Sequence, residues 1–81
     1  MTQRDLKQIR KQNLALLRQS YAEGFRQALA EQGLSVEDFC CKSKLPPETV
    51  FTHLRGGFRF FGELNYVCFC LNKRLKIEFM D

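Results

Sequence analysis

Proline is almost missing. The chain holds two, side by side at 46 and 47, and none before them. No proline therefore interrupts a helix over the first half of the sequence. Histidine is reduced to His53. With no second histidine, and no nucleophile set beside it by any motif, a histidine-based catalytic mechanism has no support. No apolar run approaches the roughly 18 residues that suggest a membrane span. The polar opening MTQRDLKQIRKQN holds no signal-peptide core. No membrane partner is expected, and the expected location is cytoplasmic. A glycine-rich phosphate loop is lacking too, because Gly56-Gly57 follows a helical stretch rather than opening one. The reading is therefore of a non-enzyme without a cofactor. The four cysteines, in a cytoplasmic setting, are expected as thiols rather than disulfides. Adjacent Cys40-Cys41 and the Cys68-x-Cys70 pair lack the spacing of tetrahedral metal sites, so no metal is expected. Cys40 and Cys68 fit apolar core positions, with Cys41 and Cys70 more exposed.

What the chain does have is apolar content and an uneven charge. Its 81 residues are 44% hydrophobic and include eight phenylalanines. That is too apolar for a disordered tail and enough for one small domain, near the lower size limit for a self-sufficient core. Chains this small often gain stability by oligomerising. The net charge is +4. Residues 1–18 carry Arg4, Lys7, Arg10, Lys11 and Arg18 against Asp5, while the remainder carries as many acids as bases. All the excess positive charge thus belongs to an N-terminal arm, residues 1–18, ahead of a domain spanning 19–81. A basic arm suits nucleic acid or another acidic partner; a solvated helix face is the plainer reading.

Periodicity gives the elements. Leu14, Leu17, Tyr21, Phe25, Ala28 and Leu29 step by three and four, and predict a helix from about residue 3 to 32 that stops at Gly33 and bends or frays near Gly24. Ahead of that face, Leu6, Ile9, Asn13 and Leu16 are spaced as a short a/d seam with an asparagine at an a position. Such a helix can pair with a copy or a partner protein. Ser35 with Asp38 is a capping signature and predicts a second helix near 36–42. Pro47 at the first turn and Gly56 at the end bracket a third near 47–55. Phe60, Leu64, Val67, Cys68 and Leu71 predict a fourth within 58–71, although its aromatic content would also suit a strand. The alternation Leu75, Ile77, Phe79 reads as a short strand at 75–79, which needs a partner strand, for example from a second copy.

The stretch LSVEDFCCKSKLPPETVFTHLRGG, residues 34–57, resembles the helix-turn-helix of the phage-repressor (Cro, XRE) family. Members open the first motif helix with Leu-Ser and an apolar–small pair, here Leu34-Ser35 and Phe39-Cys40. They turn through Gly-Val, here Lys44-Leu45, and close with an apolar pair and glycine, here Val50, Leu54 and Gly56. About 60 residues fit this layout. It implies an all-α fold, a small helix-turn-helix bundle with a long N-terminal helix and a short C-terminal strand. Lys44 departs from the pattern, because it stands where members use glycine for positive φ.

The resemblance implies double-stranded DNA as partner. Its base-reading positions fall on Pro47, Glu48, Phe51, Thr52 and Arg55. Phosphate contacts fall on Arg4, Lys7, Arg10, Lys11, Lys42, Lys44, Ser35, His53 and Arg59, with His53 expected on the helix surface. The expected function is transcription regulation by a homodimer, a repressor of phage, plasmid or antitoxin type. Segment 58–71 or the strand at 75–79 would supply the dimer contact. The alternative is a protein-interaction module on the same scaffold, toxin- or polymerase-binding for example, that grips its partner through the N-terminal helix and reads little DNA.

Overall fold

A computed structural model describes residues 3–75, with side chains from Asp5 onward. It contains four helices: α1 (Gln3–Gln32), α2 (Val36–Ser43), α3 (Pro47–Leu54) and α4 (Phe61–Cys70). Among the described residues there is no strand. The one expected at 75–79 lies, but for Leu75, outside them.

α1 runs unbroken through Gly24. Thirty residues of helix are about 45 Å long, and the longest axis of the molecule is 47 Å. The helix is therefore much longer than the body it joins. From Asp5 to Leu16 every residue is exposed, and burial begins with Leu17 and Arg18. Gly33, at φ 64°, ends α1: its N–H reaches Ala30 O, and Leu34 N–H reaches Leu29 O. That pairing satisfies the last carbonyls of the helix.

The core lies where the second half of α1 meets the other three helices. Tyr21, Phe25, Ala28 and Leu29 of α1 pack with Phe39, Val50, Leu64, Val67, Cys70 and Leu71. Phe25 and Phe39 cross edge to face at 5.0 Å, a favoured aromatic arrangement. Burial of these side chains, rather than helix propensity, is what holds helices of only eight to ten residues.

α2 is capped as expected. Ser35 Oγ accepts from Asp38 N–H at 3.1 Å, and Asp38 Oδ2 accepts from Ser35 N–H at 3.0 Å. These bonds, the Ser35 backbone first, hold the Asp38 carboxyl below its ordinary value. α4 starts at Phe61, three residues later than the segment 58–71 suggests. Phe58 is kept out of it by packing: its ring meets Tyr21 edge-on at 5.9 Å, and the Arg18 guanidinium lies 4.6 Å above it. Cys70 is buried rather than exposed, because it shares the inner face of α4 with Leu64 and Val67. Cys41 is exposed, and Cys40 and Cys68 are half-buried.

Candidate nucleic-acid interface

α3 sorts its residues into two faces. Val50 and His53 point inward and are buried, and Leu54 is half-buried. Pro47, Glu48, Phe51, Thr52 and Arg55 are all exposed. Their spacing of one, three, one and three places them on a single outer stripe. All five residues assigned to base reading thus stand together on one free surface.

The turn before α3 fixes how that surface is presented. Lys44 has φ 62° and ψ 24°, the left-handed conformation that favours glycine. Its N–H closes α2 by donating to Cys40 O at 2.8 Å. The buried Ser43 hydroxyl donates to Phe39 O and accepts from Leu45 N–H. Tyr66 of α4 donates its hydroxyl to Ser43 O. Leu45 then packs against the core. Pro46 stands at the N-cap in extended conformation and provides no side-chain cap. The positive end of the α3 dipole is therefore left to Glu48, an acid in its first turn.

Cations flank α3 at both ends, with exposed Lys42 and Lys44 before it and Arg55 and Arg59 after it. Arg59 is already engaged: its Nε and its backbone N–H both donate to Glu63 Oε1, at 3.3 and 2.8 Å. The backbone bond above all holds the Glu63 carboxyl below its ordinary value. Lys7, Arg10 and Lys11 are exposed along the arm; the side chain of Arg4 lies outside the described residues. Arg18, counted among the arm's charges, is part of the body. Its Nη1 donates to Gly56 O at 3.0 Å and to Phe58 O at 3.5 Å. Ser35 spends its hydroxyl and its N–H on Asp38, and a carboxylate there repels phosphate.

His53 requires a correction. It is 2% exposed, not a surface residue. Val50 is three residues before it on the inner face, and its ring follows Val50 inward. Tyr21 Oη lies 2.7 Å from His53 Nδ1, and Glu63 Oε2 lies 3.6 Å from its Nε2. The arrangement fits a proton on Nε2 facing the carboxylate and Nδ1 accepting from the Tyr21 hydroxyl. Burial first, with the charges of Cys68 and Glu63 behind it, pushes the Tyr21 phenol well above its ordinary value near 10. The chain Tyr21–His53–Glu63 ties α1, α3 and α4 together, so a phosphate role for His53 is withdrawn. Tyr21 and Glu63 were missed as its partners because they lie far away in sequence. The one local clue was the spacing from Val50.

Set against known proteins, the chain matches no family model, no curated protein and no solved structure.

Proposed function

We propose that the chain is a sequence-specific DNA-binding regulator that uses α2 and α3 as a helix-turn-helix, with α3 in the major groove. The observation that carries this reading is the sorting of α3. Its five expected reading positions share one exposed stripe, and its inner side is locked by Val50 and His53. The left-handed Lys44 supports it, because the turn adopts the backbone that family members obtain with glycine.

Each group on the stripe has a chemical use. Arg55 can donate to guanine O6 and N7, and Glu48 can accept from cytosine N4. Pro47 and Phe51 offer apolar surface to a thymine methyl. Thr52 donates its hydroxyl to Glu48 O at 2.9 Å, which leaves its lone pairs to accept. Lys7, Arg10, Lys11, Lys42 and Lys44 supply the sequence-independent attraction to phosphate, with Arg4 as the arm's remaining cation. In this reading the protein acts as a dimer on paired half-sites, repressing in the manner of phage, plasmid or antitoxin regulators.

A salt-titrated gel shift against DNA from the gene's own upstream region is the direct test. Arg55→Ala should cost roughly 1–3 kcal/mol and relax sequence choice. Lys7→Ala and Lys11→Ala should weaken all sequences alike, each reducing the salt slope by about one. Absence of binding to any fragment at low salt would sink the proposal. Specific binding unchanged by Arg55→Ala and Thr52→Ala would show that α3 is not the reader.

A second reading, a protein-interaction module that grips its partner through the N-terminal helix, draws on the exposed Leu6, Ile9 and Leu16 there and on the acid, Glu48, in the α3 stripe. It predicts capture of a protein partner that competes with no DNA.

A further inference from the structure

The exposed half of α1 has two opposed faces. Leu6, Ile9, Asn13 and Leu16 form one stripe, and the three apolar members are exposed at 47, 37 and 48%. Lys7, Lys11 and Arg18 fall on the other side of the helix. We propose that the apolar stripe binds the same stripe of a second copy, parallel and in register, as a short two-stranded coiled coil.

The charge pattern selects a copy over another partner. With Leu6 and Asn13 at a and Ile9 and Leu16 at d, Lys11 and Arg18 occupy f, and Lys7 occupies b. These positions point away from a paired helix, so the arm's net positive charge does not oppose self-association at close range. The flanking g and e positions of the first heptad carry one charge of each sign, Asp5 and Arg10. In a parallel pair, g of one helix faces e of the next heptad in the other, which sets Asp5 opposite Arg10 twice by symmetry. An antiparallel pair would set like residues together. An acidic partner helix would meet only Arg10 at the seam edges, because the other cations lie outside.

Asn13 fixes the register. Two asparagines at a satisfy each other only when directly opposed, and a slipped pairing would bury one against leucine. The fold leaves room for the partner. Tyr21, Phe25, Ala28 and Leu29 bury a face of α1 that lies roughly 125° around the helix from the stripe. The body is therefore carried away from the seam. Along the same line beyond Leu16 come Ser20, Glu23, Gln27 and Ala30, all exposed and with no large apolar side chain. Pairing is thereby confined to the arm. Two heptads are few for a coiled coil, but this helix is already nucleated by its packed second half, which removes the main cost of a short segment. Lys7 at b and Lys11 at f stay exposed for phosphate when the arms pair, whereas Arg18 is held by the body.

Sedimentation equilibrium on the full chain, without DNA, tests this apart from the DNA reading. The expected result is a dimer that becomes a monomer in Ile9→Asp and in Leu16→Asp, with unchanged circular dichroism of the body. In a Cys41→Ser background, Leu6→Cys should form an interchain disulfide under mild oxidation, because parallel register sets the two residues 6 side by side. A wild-type monomer would overturn the proposal, as would a dimer that survives Ile9→Asp. A dimer lost instead on Phe69→Asp would assign the contact to the outer face of α4, where Phe69 is 77% exposed. A dimer whose Leu6→Cys variant fails to cross-link would overturn the parallel register.

Discussion

Gly56→Ala is expected to destabilise the protein by about 3 kcal/mol, the sum of two independent costs. The residue has φ 87°, where an L side chain is strained by about 1–2 kcal/mol. A Cβ placed there would lie 2.5 Å from Arg18 O and 3.0 Å from Arg18 C. The obstacle is main chain in the middle of α1, which cannot swing aside as a side-chain tip can. Relief would require α3 to lift from α1. That would break the Arg18 bonds to Gly56 O and Phe58 O and the stacking of Arg18 on Phe58. For a domain of this size the change corresponds to a melting temperature lower by roughly 12–24 °C. Gly24→Ala is the matched contrast. It is helical, an added Cβ meets nothing within 4 Å, and the gain should be about 0.5–1 kcal/mol. Thermal melts followed by circular dichroism measure both. Equal melting temperatures for Gly56→Ala and the wild type would show that the α1–α3 contact is not as close as described.

Local signals carried most of the fold. Ser35 and Asp38 announced α2, the proline pair opened α3, Gly33 and Gly56 marked helix ends, and the three-four spacing from Leu17 to Leu29 gave the core side of α1, although Leu14, the first residue of that series, stays exposed ahead of the body. These features act within one turn of the chain, so their physics is written in neighbouring residues. The outer stripe of α3 was legible for the same reason: once Val50 and Leu54 turn inward, the helical period leaves Pro47, Glu48, Phe51, Thr52 and Arg55 outside. What escaped was set by residues far apart. Arg18 looked like one more charge of a basic arm until Gly56 and Phe58 came beside it. Phe58 looked helical until Tyr21 and Arg18 held its ring. Cys70 was placed outside because the apolar face drawn through Leu64, Val67, Cys68 and Leu71 left it out, and the packing that covers it comes from residues far away in sequence.

His53 is the position where the sequence reading and the structure differ most, and it carries the second large effect. His53→Ala is expected to cost about 3–4 kcal/mol. The substitution removes a ring that fills the space between α1, α3 and α4, and it strips the Tyr21 hydroxyl of its partner. Tyr21→Phe should cost less, about 1–2 kcal/mol, because only a hydroxyl is lost and one ring nitrogen is left unpaired. Replacing both, Tyr21→Phe with His53→Ala, should cost less than the two single changes together, since neither member of the 2.7 Å pair is then left without the other. Denaturant titration of the three variants forms the cycle. Strict additivity would mean that the 2.7 Å contact contributes nothing. The same pair sets an alkaline limit. The Tyr21 phenol is raised in the folded state, so the unfolded chain ionises first: the stabilisation is whole below pH about 10 and is lost as pH climbs above it. Cys68, also raised by burial, acts in the same direction. Tyr21→Phe should therefore unfold less steeply with rising pH than the wild type. If the DNA reading holds, His53→Ala should bind normally at temperatures where it remains folded, since a residue 2% exposed has no route to a phosphate. Loss of binding by a fully folded His53→Ala would reopen its assignment as a contact residue.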